Sequence, residues 1–221
     1  MNFDRLAPFY RAMEFFSAGG KLQRCRVSFL DLIPVPDRIL LVGEGNGRFL
    51  PECIRRFPDA EIVVVDTSHR MLAIAQKTVA SDRVQFVEAD IQFWSAPKSS
   101  FDLIVTHFFL DCFPADDIAT LVTKLGDLAT PNANWLLADF QIAGGRIAAL
   151  RCRVILSLLY TFFRIVCDVG ASSLVSPDSE LGKNGFLVFR RVTCEWGLLK
   201  SEWWHRPTRD VTGQTAITGW E

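Results

Sequence analysis

A chain of 221 residues, 49% of them hydrophobic and including eighteen Phe and six Trp, has ample apolar material for one α/β domain with a sizeable core. Its formal net charge of −1, with no basic block and no basic–aromatic interleaving, argues against nucleic acid as a partner. The six cysteines (Cys25, Cys53, Cys112, Cys152, Cys167, Cys194) are scattered without a C-x-x-C pair, so they read as reduced core thiols of a cytoplasmic protein. No metal constellation is visible, and the opening M-N-F-D-R-L-A-P lacks the apolar core of a secretion signal.

The first thirty-odd residues are helical and amphipathic in pattern, with Phe3, Leu6 and Tyr10, then Leu22, Val27, Phe29 and Leu30 around a Gly19-Gly20 break. From Arg38 onward strand and helix alternate. Ile39 to Val42 predicts a buried strand and Arg48 to Phe57 a helix ended by Pro58. A second strand, Ile62 to Val65, precedes a helix over Ser68 to Val79, with Met71, Leu72, Ala75 and Val79 on one face. Val84 to Val87 and Phe101 to Val105 predict the third and fourth strands. Pro114 and Asp116-Asp117 open a helix carrying Ile118, Leu121, Val122, Leu125 and Leu128, and Trp135 to Ala138 predicts a fifth strand stopped by Asp139. Strands separated by helices imply parallel pairing with right-handed crossovers. Gly185 to Phe189 and Gly197 to Trp204 predict an antiparallel hairpin added to the sheet edge.

One domain is therefore expected over 1–205, with an N-terminal helical cap (1–35) and a loose tail over 206–221. Residues 147–169 are strongly apolar, but Arg151, Arg153 and Arg164 interrupt them, and Arg153, Ser157, Thr161, Arg164 and Asp168 form a polar stripe at helical spacing. Three placements stay open for this helix: packed on the sheet, a lid over a hydrophobic pocket (145–169), or contact with a membrane surface.

The functional signal lies at L-L-V-G-E-G-N-G (40–47) and at the acid ending the next strand, Asp66. Glycines at alternate positions after a buried strand leave room for a ligand against the backbone, and a carboxylate about 20 residues on suits a ribose hydroxyl pair. A dinucleotide loop needs G-x-G-x-x-G. Here Gly43, Gly45 and Gly47 give G-x-G-x-G, with Glu44 inside the turn. A carboxylate there repels pyrophosphate but suits S-adenosylmethionine, whose sulfonium and ammonium are cationic.

With these motifs the chain resembles the class I S-adenosylmethionine-dependent methyltransferases. V-G-E-G-N-G-R-F-L is similar to their first motif, V-V-V-D-T-S-H-R-M-L-A-I-A to the second, F-V-E-A-D-I to the third and F-D-L-I-V-T-H-F-F-L-D-C-F to the fourth. The opening F-D-R-L-A-P-F-Y resembles the ubiquinone/menaquinone-biosynthesis branch. The resemblance covers residues 1 to 140 well and the remainder in outline. It implies a Rossmann-like, doubly wound, seven-stranded sheet, mostly parallel with a C-terminal antiparallel hairpin, and N-terminal helices capping the site.

The resemblance further implies that Gly43, Gly45 and Gly47 meet the methionine moiety and that Asp66 holds the ribose hydroxyls. Thr67 and Met71 would border the adenine, Asp90 would accept from its amine and Ile91 would pack on the ring. Tyr10 and His107 would lie at the methionine and methyl end. The family often carries an acid at the position of Leu41, so binding of the cofactor's amino group falls to backbone carbonyls and Glu44.

In-line displacement needs a base only for an acceptor protonated at working pH. His107 is the candidate, since an ordinary imidazole titrates near ~6.5. Asp111 is the second candidate catalytic group, and Phe109 and Arg164 are candidate acceptor contacts. T-H-F-F, rather than an Asn-Pro-Pro-Tyr-type segment, follows the fourth strand. This disfavours nucleic-acid and protein nitrogen targets and leaves a small hydrophobic acceptor methylated at O, S or C, with a quinone-type carbon acceptor as an alternative. An NAD-dependent oxidoreductase and a non-catalytic cofactor-binding partner are the competing readings. Either a monomer or a homodimer is compatible with the sequence.

Overall fold

Short β-branched and leucine-rich runs form the strands. In chain order these are β1 (Arg38–Val42), β2 (Glu61–Asp66), β3 (Val84–Glu88), β4 (Phe101–His107), β5 (Ala129–Phe140), β6 (Leu187–Cys194) and β7 (Leu199–His205). The helices are α1 (Lys21–Val27), α2 (Leu50–Arg56), α3 (His69–Gln76), α4 (Ala115–Leu128), α5 (Arg146–Cys167) and α6 (Asp178–Lys183), with 3-10 turns at Leu110–Cys112 and Glu195–Gly197. This computed structural model describes residues 20–79, 81–167 and 174–208, with only the backbone described at 160 and 162–167. The N-terminal part of the expected cap, including Tyr10, lies outside the described residues, as do the side chain of Arg164 and the tail from 209.

The strands make one sheet in the order β3-β2-β1-β4-β5-β7-β6. β1 to β5 pair in parallel, and β7 joins β5 antiparallel with β6 outside it. The expected Rossmann-like sheet and its C-terminal hairpin are borne out. Because the order reverses between β1 and β4, their carboxyl ends diverge and leave a crevice there.

Period-two alternation sorts each central strand between two cores. Leu40, Val42 and Ile104 face α4, where Ile118, Leu121, Val122 and Leu125 are buried around the fully enclosed Trp135. Ile39, Leu41, Leu103 and Val105 face the opposite way, against Phe29, Leu30, Leu50, Cys53 and Leu72. A third cluster joins Leu22 and Cys25 of α1 to Phe140, Leu199 and α5 residues Cys152 and Leu156.

Three boundaries differ from the sequence reading. β5 begins at Ala129 rather than Trp135, because a register shift lets Ala129 pair with Phe101 across the Pro131-Asn132 irregularity. Asp139 does not stop it; it sits inside the strand opposite Lys200. Nor is the chain loose at 206. Arg206 donates to the carbonyls of Ala129 and Asn184 and lies over the Phe186 ring at 4.4 Å, while Thr208 donates its backbone N–H to Asn132. Among the described residues no helix is long and apolar enough to cross a membrane.

Arg206 thus closes the far end of the sheet. Arg206→Ala removes a half-buried cation–π contact and two carbonyl bonds, and should lower unfolding free energy by about 1–3 kcal/mol in urea titration.

Candidate functional site

The turn after β1 is held by a carboxylate. Asp66, at the end of β2 and nearly buried, accepts the Gly45 N–H (3.2 Å) and the Ser68 N–H (2.9 Å). Ser68 then caps α3, accepting the Met71 N–H. The glycine conformations follow from this tether. Gly43, Gly45 and Gly47 all have φ between +65° and +75°, a region costly for residues with a Cβ. A Cβ on Gly47 would come within 2.7 Å of the Ala75 backbone, so this glycine lets the turn sit against α3.

A crevice of about 1100 Å³, open to solvent, occupies the β1/β4 switch point. One end is walled by Gly43, Gly45, Val65, Asp66, Thr67, Met71, Ala89, Asp90 and Ile91. Ile91 and Met71 are buried apolar walls, whereas Asp90 is exposed and accepts the Gln92 N–H. Sequence reasoning placed these residues together, and the structure does bring Gly43, Gly45, Asp66, Thr67, Met71, Asp90 and Ile91 to one crevice.

The other end is aromatic. Phe108 leaves β4 in the left-handed region (φ +54°), a conformation costing on the order of 1 kcal/mol in a non-glycine residue. This bend brings both Phe108 and Phe109 to the crevice, with Phe113, Phe140, Leu22 and Leu159. The Phe109–Phe113 and Phe108–Phe140 rings lie 5.0 and 5.3 Å apart, so the wall is a packed aromatic surface.

Three expected site residues do not line the crevice. His107 follows Leu103 and Val105 on the opposite face of β4, and its ring packs edge-on against Phe49 at 4.7 Å. Burial first, and the Arg26 charge second, hold its imidazole well below the ordinary range. Glu44 turns its carboxylate to the start of α2, where Oε1 accepts the Phe49 (2.7 Å) and Leu50 (3.0 Å) N–H groups. It caps a helix and does not face the crevice. Gly47 is buried against Ala75.

Two ionisable groups share the aromatic end. Asp111, on the 3-10 turn and 6% exposed, is pushed up to about 6 by burial, with the Cys112 thiol donating to Oδ1 at 3.7 Å. Behind it Asp139 is held well above the usual carboxylate range by burial and the Asp111 charge, against the pull of Lys200. Arg26 of α1 is the other group. Only 5% exposed, it stands over the Phe108 ring at 5.2 Å and acts electrostatically on both Glu44 and His107. Sequence patterning does not single out Arg26, because one arginine in a short amphipathic helix carries no motif. Among the described residues no cluster of three or more His, Cys, Asp or Glu side chains could hold a metal ion.

A glycine turn, strand-end acids and a switch-point crevice meet at the carboxyl ends of the parallel strands. Residues 39–132 match the family model of the methyltransferase domain. It is 35% identical over 109 residues to a malonyl-[acyl-carrier protein] O-methyltransferase of Halalkalibacterium halodurans, a match covering 48% of this chain and 40% of that one. It is 34% identical to a demethylmenaquinone methyltransferase of Thermus thermophilus, covering 62% and 64%. The chain thus spans under two thirds of the length of these curated relatives. A solved magnesium protoporphyrin IX methyltransferase from Synechocystis PCC 6803 with bound SAH superposes with TM-score 0.64 at 17% identity, covering 92% and 96%; that likeness concerns the fold.

Glu44 offers a test of the cap. Burial pushes its carboxyl up to about 7, partly offset by Arg26 and the two backbone N–H donors, with the Asp66 charge adding to the rise. The folded state then keeps a proton that the unfolded chain has already lost. This contribution to stability is present below about 4.5 and lost as pH rises to about 7. Glu44→Gln mimics the protonated form, so its stability relative to the parent should rise by about 1–2 kcal/mol from acid to pH 8, the full shift being discounted for partial exposure. Paired thermal melts across that range check it.

Proposed function

We propose that the chain is an S-adenosylmethionine-dependent methyltransferase acting on a small, hydrophobic acceptor by O-, S- or C-methylation. One observation carries the reading: a single crevice joins the strand-end acids and glycine turn to an aromatic chamber. The donor set suits an adenosyl group. Asp66 would hold the ribose hydroxyls, Met71 and Ile91 would border the adenine ring, and Asp90 would accept from its amine at the rim. The start of α2 speaks against a dinucleotide, because the Phe49 and Leu50 N–H groups that would receive a pyrophosphate are already taken by Glu44.

The bound donor supplies an electrophilic methyl on a charged sulfonium. The protein's part is alignment and exclusion of water. Phe108, Phe109, Phe113 and Phe140 present a dry wall on which an apolar acceptor is oriented, and alignment of reactants supplies much of the acceleration in such displacements. Arg26, which lines the crevice, would hold the carboxylate of the donor's methionine end. Asp111, the acid at the aromatic end, accepts the acceptor's proton where the acceptor carries one. His107 has no part in this, since it faces Phe49.

Two experiments test the assignment. In calorimetry, S-adenosylhomocysteine should bind, and Asp66→Ala should weaken both it and 5′-methylthioadenosine by about tenfold or more. Arg26→Gln should weaken S-adenosylhomocysteine alone, since methylthioadenosine has no carboxylate. Failure of the parent chain to bind S-adenosylhomocysteine would falsify the methyltransferase reading.

The role of Asp111 is read from pH. Turnover of a phenol-type acceptor should climb as pH rises through about 6, because the proton acceptor must be ionised. Asp111→Asn should abolish that limb and cost about a hundredfold in rate. An unchanged pH profile in the variant removes Asp111 from proton transfer.

A further inference from the structure

The inner and outer faces of α5 carry different work. Its inner face buries Cys152 and Leu156 and lends Leu159 to the aromatic end of the crevice. On the outer face Ile147, Leu150, Val154 and Leu158 are 88%, 63%, 53% and 69% exposed. At about 100° per residue these four fall within a stripe roughly 80° wide, opposite Cys152 and Leu156. Of the residues expected as a polar stripe, Arg153 and Ser157 flank the apolar one on one side together with Arg146, Thr161 falls in line with it, and Arg151 lies on the other side. From Arg146 to Cys167 the sequence holds four arginines and no acid, in a chain whose net charge is −1.

Elsewhere Trp196, whose carbonyl accepts the Cys152 thiol, is 81% exposed. Arg151 donates to the Glu195 carbonyl, which leaves Arg146 and Arg153 as the cations flanking the stripe. A soluble face seldom displays four large apolar side chains in one stripe. An exposed apolar stripe flanked by Arg146 and Arg153, on a helix without an acid, matches the surface of an anionic bilayer in both hydrophobicity and charge.

We propose that the outer face of α5 seats the protein on an anionic lipid surface. The helix lies in the interfacial plane and does not cross it, in keeping with its four arginines. Leu159 on the inner side then places the aromatic end of the crevice next to the lipid, where an apolar acceptor is concentrated. This last consequence rests on the methyltransferase reading; the seating itself does not.

Flotation of the full chain with vesicles tests the seating without any donor present. It should float with phosphatidylcholine vesicles containing phosphatidylglycerol, weakly with phosphatidylcholine alone, and less as salt is raised. Leu150→Ser with Leu158→Ser should cut partitioning at least tenfold. Arg146→Gln with Arg153→Gln should cut it about twentyfold, on anionic vesicles alone. Both pairs are exposed and outside the crevice, so circular dichroism and melting temperature should match the parent. Flotation that survives both pairs overturns the proposal. So does a full chain that ignores vesicles because residues 1–19 cover the face, or a dimer dissolved by the serine pair. Because S-adenosylhomocysteine binding is read separately, loss of one result leaves the other standing.

Discussion

The carboxylate of Asp66 is the constraint from which the site follows. By accepting one N–H from the glycine turn and one from the residue capping α3, it locks that turn and the start of α3 to the end of β2. The turn can meet that demand only with left-handed backbone, hence glycine at 43 and 45. Gly47 answers a different need, the approach of α3, and its side-chain-free surface is spent on Ala75. A single buried acid therefore sets the loop, the helix start and the floor of the crevice together.

The same tether decides what α2 can bind. Once the turn is fixed, Glu44 is carried over the first N–H groups of α2 and neutralises the anion site that glycine-rich turns usually leave open. Sequence spacing alone suggests that Glu44 disfavours pyrophosphate by repulsion at the ligand. The structure supplies a different reason for the same exclusion: the carboxylate sits in the phosphate's place. A carboxylate raised to about 7 by burial is the cost of that arrangement, and Arg26 opposes part of it.

Much of this was legible in the sequence, because the parallel strands are continuous apolar runs and the acids sit at their ends. The strands follow from period and length, and Gly43, Gly45 and Asp66 from their positions at strand ends, whereas Thr67, Met71, Asp90 and Ile91 come from the resemblance to a known family. Side-chain direction is where linear reading fails. His107 looks placed for chemistry because it ends β4, yet a period of two sends it with Val105 to the far core, and the residue after it makes the bend into the crevice. Arg26 and Asp139 are invisible for another reason. Each owes its standing to partners far away in sequence, Phe108 and Glu44 for the first, Lys200 and Asp111 for the second.

The aromatic end sets the two halves of the crevice apart in how their shape is maintained. The glycine-turn half is built on strand ends and backbone hydrogen bonds, which leave little freedom. The other half depends on α1, the 3-10 turn and α5, packed through Leu22, Phe108, Phe140 and Leu159. Those contacts are apolar and nondirectional, so they tolerate changes of shape that the carboxylate-tethered half does not. A wall that can be re-formed by substitution beside a rigid turn is the arrangement this division of forces predicts, and it places the adaptable part of the crevice in α1 and α5 rather than in the sheet.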